Sequence, residues 1–161
     1  MATLRPLGPA DLADARSVLL ASCDYDHAGA VAEEKLFGSA SGHPWRQTLG
    51  AYQDQTLAGV VVVSGRWLRL LAVVPSMRRQ GIGQALLDAA EAAARAAGEA
   101  TLRTLDQPGN YLAPGINAKN AEALAWLEKR GYVRVADNVN LIVDVAANER
   151  VTSEALEQRR R

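Results

Sequence analysis

The chain has 161 residues, and its 18 basic and 18 acidic side chains cancel to a formal net charge of zero. That length favours one domain with its own core, and the even balance disfavours a nucleic-acid partner, which a basic excess would mark. No apolar run approaches the roughly 18 residues of a membrane span, no basic start leads into an apolar leader, and the single cysteine, Cys23, has no internal partner, so the expected setting is reducing and cytoplasmic, away from membranes.

In chain order, Thr3 to Leu7 predicts a short strand, with Pro6 placing it at a sheet edge. A helix follows from Pro9 to Leu20, where Leu12, Ala13, Ala15 and Leu19 recur at helical spacing and proline suits the first turn. Val31 to Phe37 reads as a second short helix, and Gly38 to Gly42 as a loop ahead of His43-Pro44-Trp45. Gln47 to Tyr52 is a predicted strand, and Asp54-Gln55 a turn. Leu57 to Val63 is apolar and β-branched, which predicts a buried strand. Trp67 to Val74 is apolar on both faces except at Arg69, the pattern of a central strand covered on both sides.

Ile82 to Ala97 is an amphipathic helix with an inner stripe of Leu86, Leu87, Ala90, Ala93, Ala94 and Ala97. Glu91 and Arg95 form an outward i,i+4 pair, and Gly98 suits a left-handed C-terminal cap. Ala100 to Leu105 is the next strand, expected parallel to the one ending at Val74 because a crossover helix joins them. A loop with two Pro/Gly breaks spans Pro108 to Gly115, and a helix runs from Asn117 or Lys119 to Arg130, closed by Gly131. Tyr132 to Val135 and Val139 to Val145 read as two last strands. The domain is therefore drawn as residues 1–147, with 148–161 a charged, frayed tail.

Between Leu71 and Leu87 a strand stops at Pro75, a basic segment follows, and Gly81 and Gly83 precede the long helix. Such a junction makes a nest of free backbone N–H groups at the positive end of a helix dipole, suited to a pyrophosphate, and Arg78 and Arg79 add charge. A dinucleotide-binding fold is disfavoured, because Leu86 stands where its third glycine belongs and no acidic residue precedes Asp106 in the following strand. No Gly-Lys-Ser/Thr triplet supports a P-loop.

Leu71, Val73, Pro75 and then Arg78-x-x-Gly81-x-Gly83 are similar to the acetyl-CoA motif of the GNAT acetyltransferase superfamily, apolar-x-Val-x-Pro followed by Gln/Arg-x-x-Gly-x-Gly/Ala. A second segment, Asn120 to Tyr132, resembles the family pattern Asn-x-x-Ala-x-x-Phe-Tyr-Glu-Lys-x-Gly-Phe. Asn120, Ala123, Glu128, Lys129 and Gly131 match, Trp126 and Tyr132 stand for phenylalanines, and Leu127 replaces the tyrosine. The resemblance covers roughly residues 57 to 135.

It implies an α/β fold: a mixed, mostly antiparallel sheet flanked by helices, whose parallel middle strands splay to admit acetyl-CoA. In that reading Leu71, Ala72 and Val73 offer unpaired backbone groups to the pantetheine arm. Amides of Arg78, Arg79, Gln80, Gly81, Ile82, Gly83 and Gln84 cradle the pyrophosphate. Asn120 bonds the arm or simply caps its helix. The backbone N–H of Val73 is the implied oxyanion donor, and the acceptor is a small-molecule or protein amine. No metal is implied, and pairing of two copies through the late strands is a family habit.

The acid and base stay open. Leu127 occupies the position of the family's usual acid, and Leu127→Tyr is expected to preserve transfer or raise it. Tyr111, on the loop after the gap-lining strand, is the substitute candidate. Trp67 stands where some members carry a glutamate base. His27, His43 and Asp106 are alternative bases, and Asp106 is also a partner for Arg69. Arg69 itself holds either an anionic substrate group or a structural carboxylate. Cys23 reads as an unactivated thiol. The competing function is an acyl-CoA-binding module without transferase activity.

Overall fold

The fold is taken from a computed structural model, which describes residues 2–39, 45–105, 107–139 and 157. His43, Asp106, the predicted last strand beyond Val139 and the tail apart from Glu157 lie outside them. Five strands, β1 (Thr3–Pro6), β2 (Arg46–Gln53), β3 (Thr56–Ser64), β4 (Trp67–Val73) and β5 (Arg103–Thr104), form one sheet in that order. The first three pairings are antiparallel, and β4 with β5 is parallel. Edge strand β1 carries Pro6 opposite Leu49, consistent with a residue that has no N–H for a second neighbour.

Two helices, α1 (Leu12–Ser22) and α2 (Ala32–Phe37), cover one face, while α3 (Ile82–Ala96) and α4 (Ala121–Lys129) cover the other. The β-branched run of β3 is shared between them. Val60 and Val62 pack with Val18, Leu19 and Leu36 of the first pair, and Val61 and Val63 pack with Leu86, Leu87 and Leu127 of the second. Gly59 lets the second layer close, since a Cβ there would lie 2.8 Å from the Ala72 carbonyl and 3.0 Å from Leu86 Cδ1.

Pro9 starts a 3₁₀ turn, Pro9–Asp11, that leads into α1. α3 ends in a left-handed cap at Gly98 (φ 84°), with Gly98 N–H to the Arg95 carbonyl and Glu99 N–H to the Ala94 carbonyl, both 3.0 Å; this is the Schellman arrangement. Its inner stripe is Ile82, Leu86, Leu87, Ala90 and Ala94. Ala97, expected inside, is exposed because it lies at the cap. No helix among the described residues is long and apolar enough to cross a membrane.

Three departures from the pattern reading have physical causes. Arg69 is an extra residue in β4: Val62 faces Leu70 while Val63 faces Leu68. This bulge flips the alternation, so Leu68 joins the α3 layer while Leu70 and Ala72 join the α1 layer. The strand expected from Ala100 is only Arg103–Thr104, because β4 and β5 pair only at Trp67–Arg103 and Leu68–Thr104. Residues 132–139 form no strand. Arg134 reaches back to Glu128 (3.7 Å) and on to Asp137 (3.5 Å), leaving Val133 and Val135 exposed rather than paired.

Candidate active site

Two features meet at the C-terminal end of β4. The first is a run of unclaimed backbone donors. After β4 a 3₁₀ turn at Pro75–Met77 leads to Arg79 (φ 62°) and Gly81 (φ 81°), which caps α3. Gly81 is required by its left-handed backbone, since nothing lies within 4 Å of the place its Cβ would take. No side chain caps α3, so the first-turn amides of Ile82, Gly83 and Gln84 have no intrahelical acceptor. Arg78, Arg79, Gln80 and Gly81 beside them are exposed. Orphan amides, a helix N-terminus and two arginines are the chemistry of a phosphate cradle.

The second feature is an open strand edge. Arg103 N–H donates to the Arg66 carbonyl (2.7 Å) and Leu105 N–H to the Leu68 carbonyl (2.9 Å). Beyond Leu68, β4 runs on to Val73 with no β5 partner among the described residues. Val74 N–H donates across the sheet to Ala58 (2.9 Å), so by strand alternation the N–H and carbonyl of Val73 face the other way, into the gap. The Val73 carbonyl there accepts from Arg78 Nε at 3.1 Å. The fork thus offers an extended chain a strand-like partner.

α4 borders the same gap. Gly83 faces Val73 and Trp126, with Cβ-to-carbon spacings of 3.6 and 4.0 Å if a Cβ were present. Asn120 occupies the N-cap position of α4, yet its side chain makes no cap hydrogen bond and is exposed. The fold therefore brings Val73, Arg78, Gly83 and Trp126 of α4 to one place.

At the vertex of the fork the structure shows a buried polar cluster, of which Arg69 alone stands out in the sequence; it meets backbone carbonyls rather than the expected anionic group. Arg69 and Lys35 are buried. Arg69 donates through Nη1 to the Gly38 carbonyl (2.9 Å) and through Nη2 to the Glu34 carbonyl (3.4 Å), so it caps the end of α2. Burial, and then the charge of Arg46, bring its pKa down to about 10, still cationic near neutral pH. Lys35 Nζ donates to Glu34 Oε1 (2.7 Å), Asn110 Oδ1 (2.9 Å) and the Tyr111 carbonyl (2.9 Å). Gln107 Nε2 donates to Ser64 Oγ (3.2 Å). Lys35, Arg69, Leu105, Gln107, Asn110 and Leu112 line one small cavity here.

The other expected residues are spread around this centre. Tyr111 is held by its backbone to Lys35, while its residue as a whole is 55 % exposed. Leu127 is buried in the α3 layer beside Ile82 and Leu86. The expectation that Leu127→Tyr preserves or raises transfer takes this side chain to face the gap; here it is packed, and a larger one overpacks a filled core. Trp67 is buried in the sheet. His27 is exposed, with φ 50°. Burial, then Asp26 and Asp24, push the Cys23 thiol up to about 11, which keeps it protonated and unreactive.

Residues 30–134 match the family described as acetyltransferase (GNAT) domain. No protein of curated function matches significantly in sequence. Among solved structures, the ribosomal-protein-S18-alanine N-acetyltransferase of Escherichia coli superposes with a TM-score of 0.63 at 22 % identity, over 81 % of this chain and 77 % of that one. The aminoglycoside 6′-N-acetyltransferase AAC(6′)-IG of Acinetobacter haemolyticus gives 0.64 at 16 %, over 88 % and 98 %. PaiA N-acetyltransferase of Thermoplasma acidophilum, solved with coenzyme A, gives 0.65 at 21 %, over 85 % and 93 %. With the forked sheet and the amide cradle, the match to most of its length shows that this chain belongs to the GNAT acetyltransferase family.

Proposed function

We propose that the fork between β4 and β5 is where this acetyl-CoA-dependent N-acetyltransferase holds its thioester substrate, and that the acceptor amine attacks it directly there. The observation that carries this is that, among the described residues, β4 pairs with β5 only at Trp67 and Leu68, which leaves its edge through Val73 open. Backbone groups of Leu71 and Val73, which alternation turns to the gap while those of Ala72 between them face β3, would bond the pantetheine amides as an added strand. Amides from Arg79 to Gln84 would grip the diphosphate; Arg78, whose N–H is bonded to the Pro75 carbonyl, would add its guanidinium after leaving the Val73 carbonyl, and the Asn120 side chain, which caps nothing, would hold the arm.

The Val73 N–H points into the gap and would receive the charge that develops on the thioester oxygen during attack. The departing sulfur is a tolerable leaving group, with a thiol pKa of roughly 8.5. Tyr111, moved inward on its anchored loop, is the proposed proton donor. Asp106 is the proposed base that takes the proton of the attacking amine. The E. coli neighbour acts on an alanine of ribosomal protein S18 and the A. haemolyticus one on an aminoglycoside, by their names; this chain's acceptor is likewise proposed as a small-molecule or protein amine. Cytoplasmic residence and pairing of two copies through the segment after α4 complete the proposal.

Thiol release from acetyl-CoA, followed across a panel of amines together with CoA calorimetry, tests it. Amine-dependent release is expected. CoA binding with no transfer to any amine would instead fit an acyl-CoA-binding module.

A further inference from the structure

Tyr25 and Lys119 belong to opposite layers of the molecule, yet they touch. Tyr25 lies in the turn between α1 and the 3₁₀ segment Ala28–Val31, on the face that α1 and α2 cover. Lys119 immediately precedes Asn120, the N-cap of α4, which packs on the other face. The Lys119 ammonium stands 5.9 Å from the centre of the Tyr25 ring, within the roughly 6 Å reach of a cation–π contact. A five-stranded sheet separates the two layers, so the pair meets outside the hydrogen-bonded part of that sheet.

Neighbouring residues place the meeting point at the Val73 end of the gap. Cys23, two residues before Tyr25, is close enough to Arg78 to feel its charge, and Arg78 Nε is bonded to the Val73 carbonyl (3.1 Å). On the far side, α4 borders the gap through Trp126, beside Gly83 and Val73. The contact therefore runs from one bank of the gap to the other.

Both backbones are fixed. Lys119 N–H donates to Asn117 Oδ1 (3.0 Å), and Asn120 N–H to the Asn117 carbonyl (2.8 Å). After Tyr25, His27 turns the chain with φ 50°, and its carbonyl accepts from Ala30 N–H (2.9 Å). Neither side chain forms a hydrogen bond or ion pair among the described residues, and both are exposed, so neither is spent on a core. We propose that Tyr25 and Lys119 form a strap across the mouth of the fork, closing over the pantetheine arm of the bound thioester and holding it against β4. This rests on the reading of the fork as the thioester site. The arm is uncharged, and the flat ring covers it while the ammonium pins the ring from the opposite bank.

Stopped-flow release of CoA tests the strap, with ADP, which carries a diphosphate but no arm, as the control ligand. Tyr25→Ala and Lys119→Met are each expected to release CoA ~2–5-fold faster, the range that one exposed cation–π contact supplies, with ADP affinity unchanged. The double variant is expected to match the faster single one, because either change breaks the same contact. Tyr25→Phe and Lys119→Arg keep ring and charge and are expected to behave as wild type. In a Cys23→Ala background, Tyr25→Cys and Lys119→Cys joined by a bis-maleimide after CoA is loaded should slow release ~10-fold or more. Wild-type release rates in both single variants, ADP weakened as much as CoA, or a cross-link that leaves release unchanged overturns the strap while the fork reading stands. No CoA binding by the wild type fails the fork reading, and the strap with it.

Discussion

Replacing Gly83 separates the demands of the fold from those of the phosphate cradle. It lies in the first turn of α3, where an alanine Cβ would rest 3.6 Å from Val73 Cγ2 and 4.0 Å from Trp126 Cη2, ordinary contact distances. Gly83→Ala should therefore gain about 0.5–1 kcal/mol from helix propensity, which raises Tm by roughly 1–4 °C at this length. Gly83→Glu should also melt no lower than the wild type, because an acid in a first turn suits the helix dipole. A carboxylate about 4 Å from a phosphate charge costs about 1 kcal/mol in water and about 4 kcal/mol at an effective dielectric of 20. Two diphosphate charges on an exposed loop put the penalty near ~2–3 kcal/mol, or ~30–100-fold in CoA affinity. Calorimetry with CoA and thermal melts of the free protein read the two effects independently. A folded Gly83→Glu variant that binds CoA within ~3-fold of wild type would refute the cradle. Gly81→Glu is a poorer probe, since φ there is 81° and a side chain in that conformation costs about 1–2 kcal/mol whatever the ligand.

Leu127→Tyr is expected to lower stability by about 1–3 kcal/mol through overpacking; an unchanged denaturant midpoint would show that the site has room. Lys35→Met should cost about 2–4 kcal/mol, because it strands the Asn110 and Tyr111 oxygens, and should speed amide exchange in residues 107–112; unaltered exchange there would contradict the clamp. With its thiol pushed up to about 11, Cys23 should react with thiol reagents at pH 8 roughly 100-fold slower than free cysteine. Since the folded thiol titrates above the unfolded one, at roughly 8.5, stability should decline as pH rises between those values; a Cys23→Ala variant should lose that decline, and an identical pH profile in the two proteins would refute the assignment.

Much of this architecture is written locally. The β-branched Leu57–Val63 run, the Pro75 stop, the glycine pair and the alanine-rich helix each state their own conformation, and the parallel placement of β5 follows from the crossover helix. What was hidden depends on partners far along the chain. The bulge at Arg69 exists because β3 and β4 slip by one residue, which no local pattern encodes. Val133 and Val135 have strand propensity but no neighbouring strand among the described residues, while Arg134 finds nearer acids. Leu127 matched a motif position that suggested the site, yet its burial is decided by how α4 packs. Lys35, Gln107 and Asn110 are ordinary polar letters until Lys35 draws the loop after β5 onto α2. The residues of the fork were legible because one short segment supplies most of them; the vertex was not, because three distant segments build it.

A crystal structure of the protein with CoA tests the central claim most directly. The diphosphate should sit within hydrogen-bond distance of the amides from Arg79 to Gln84, Arg78 should have left the Val73 carbonyl, and the pantetheine arm should lie along β4 past Leu68. CoA bound elsewhere, with the gap beside Val73 closed, would contradict it.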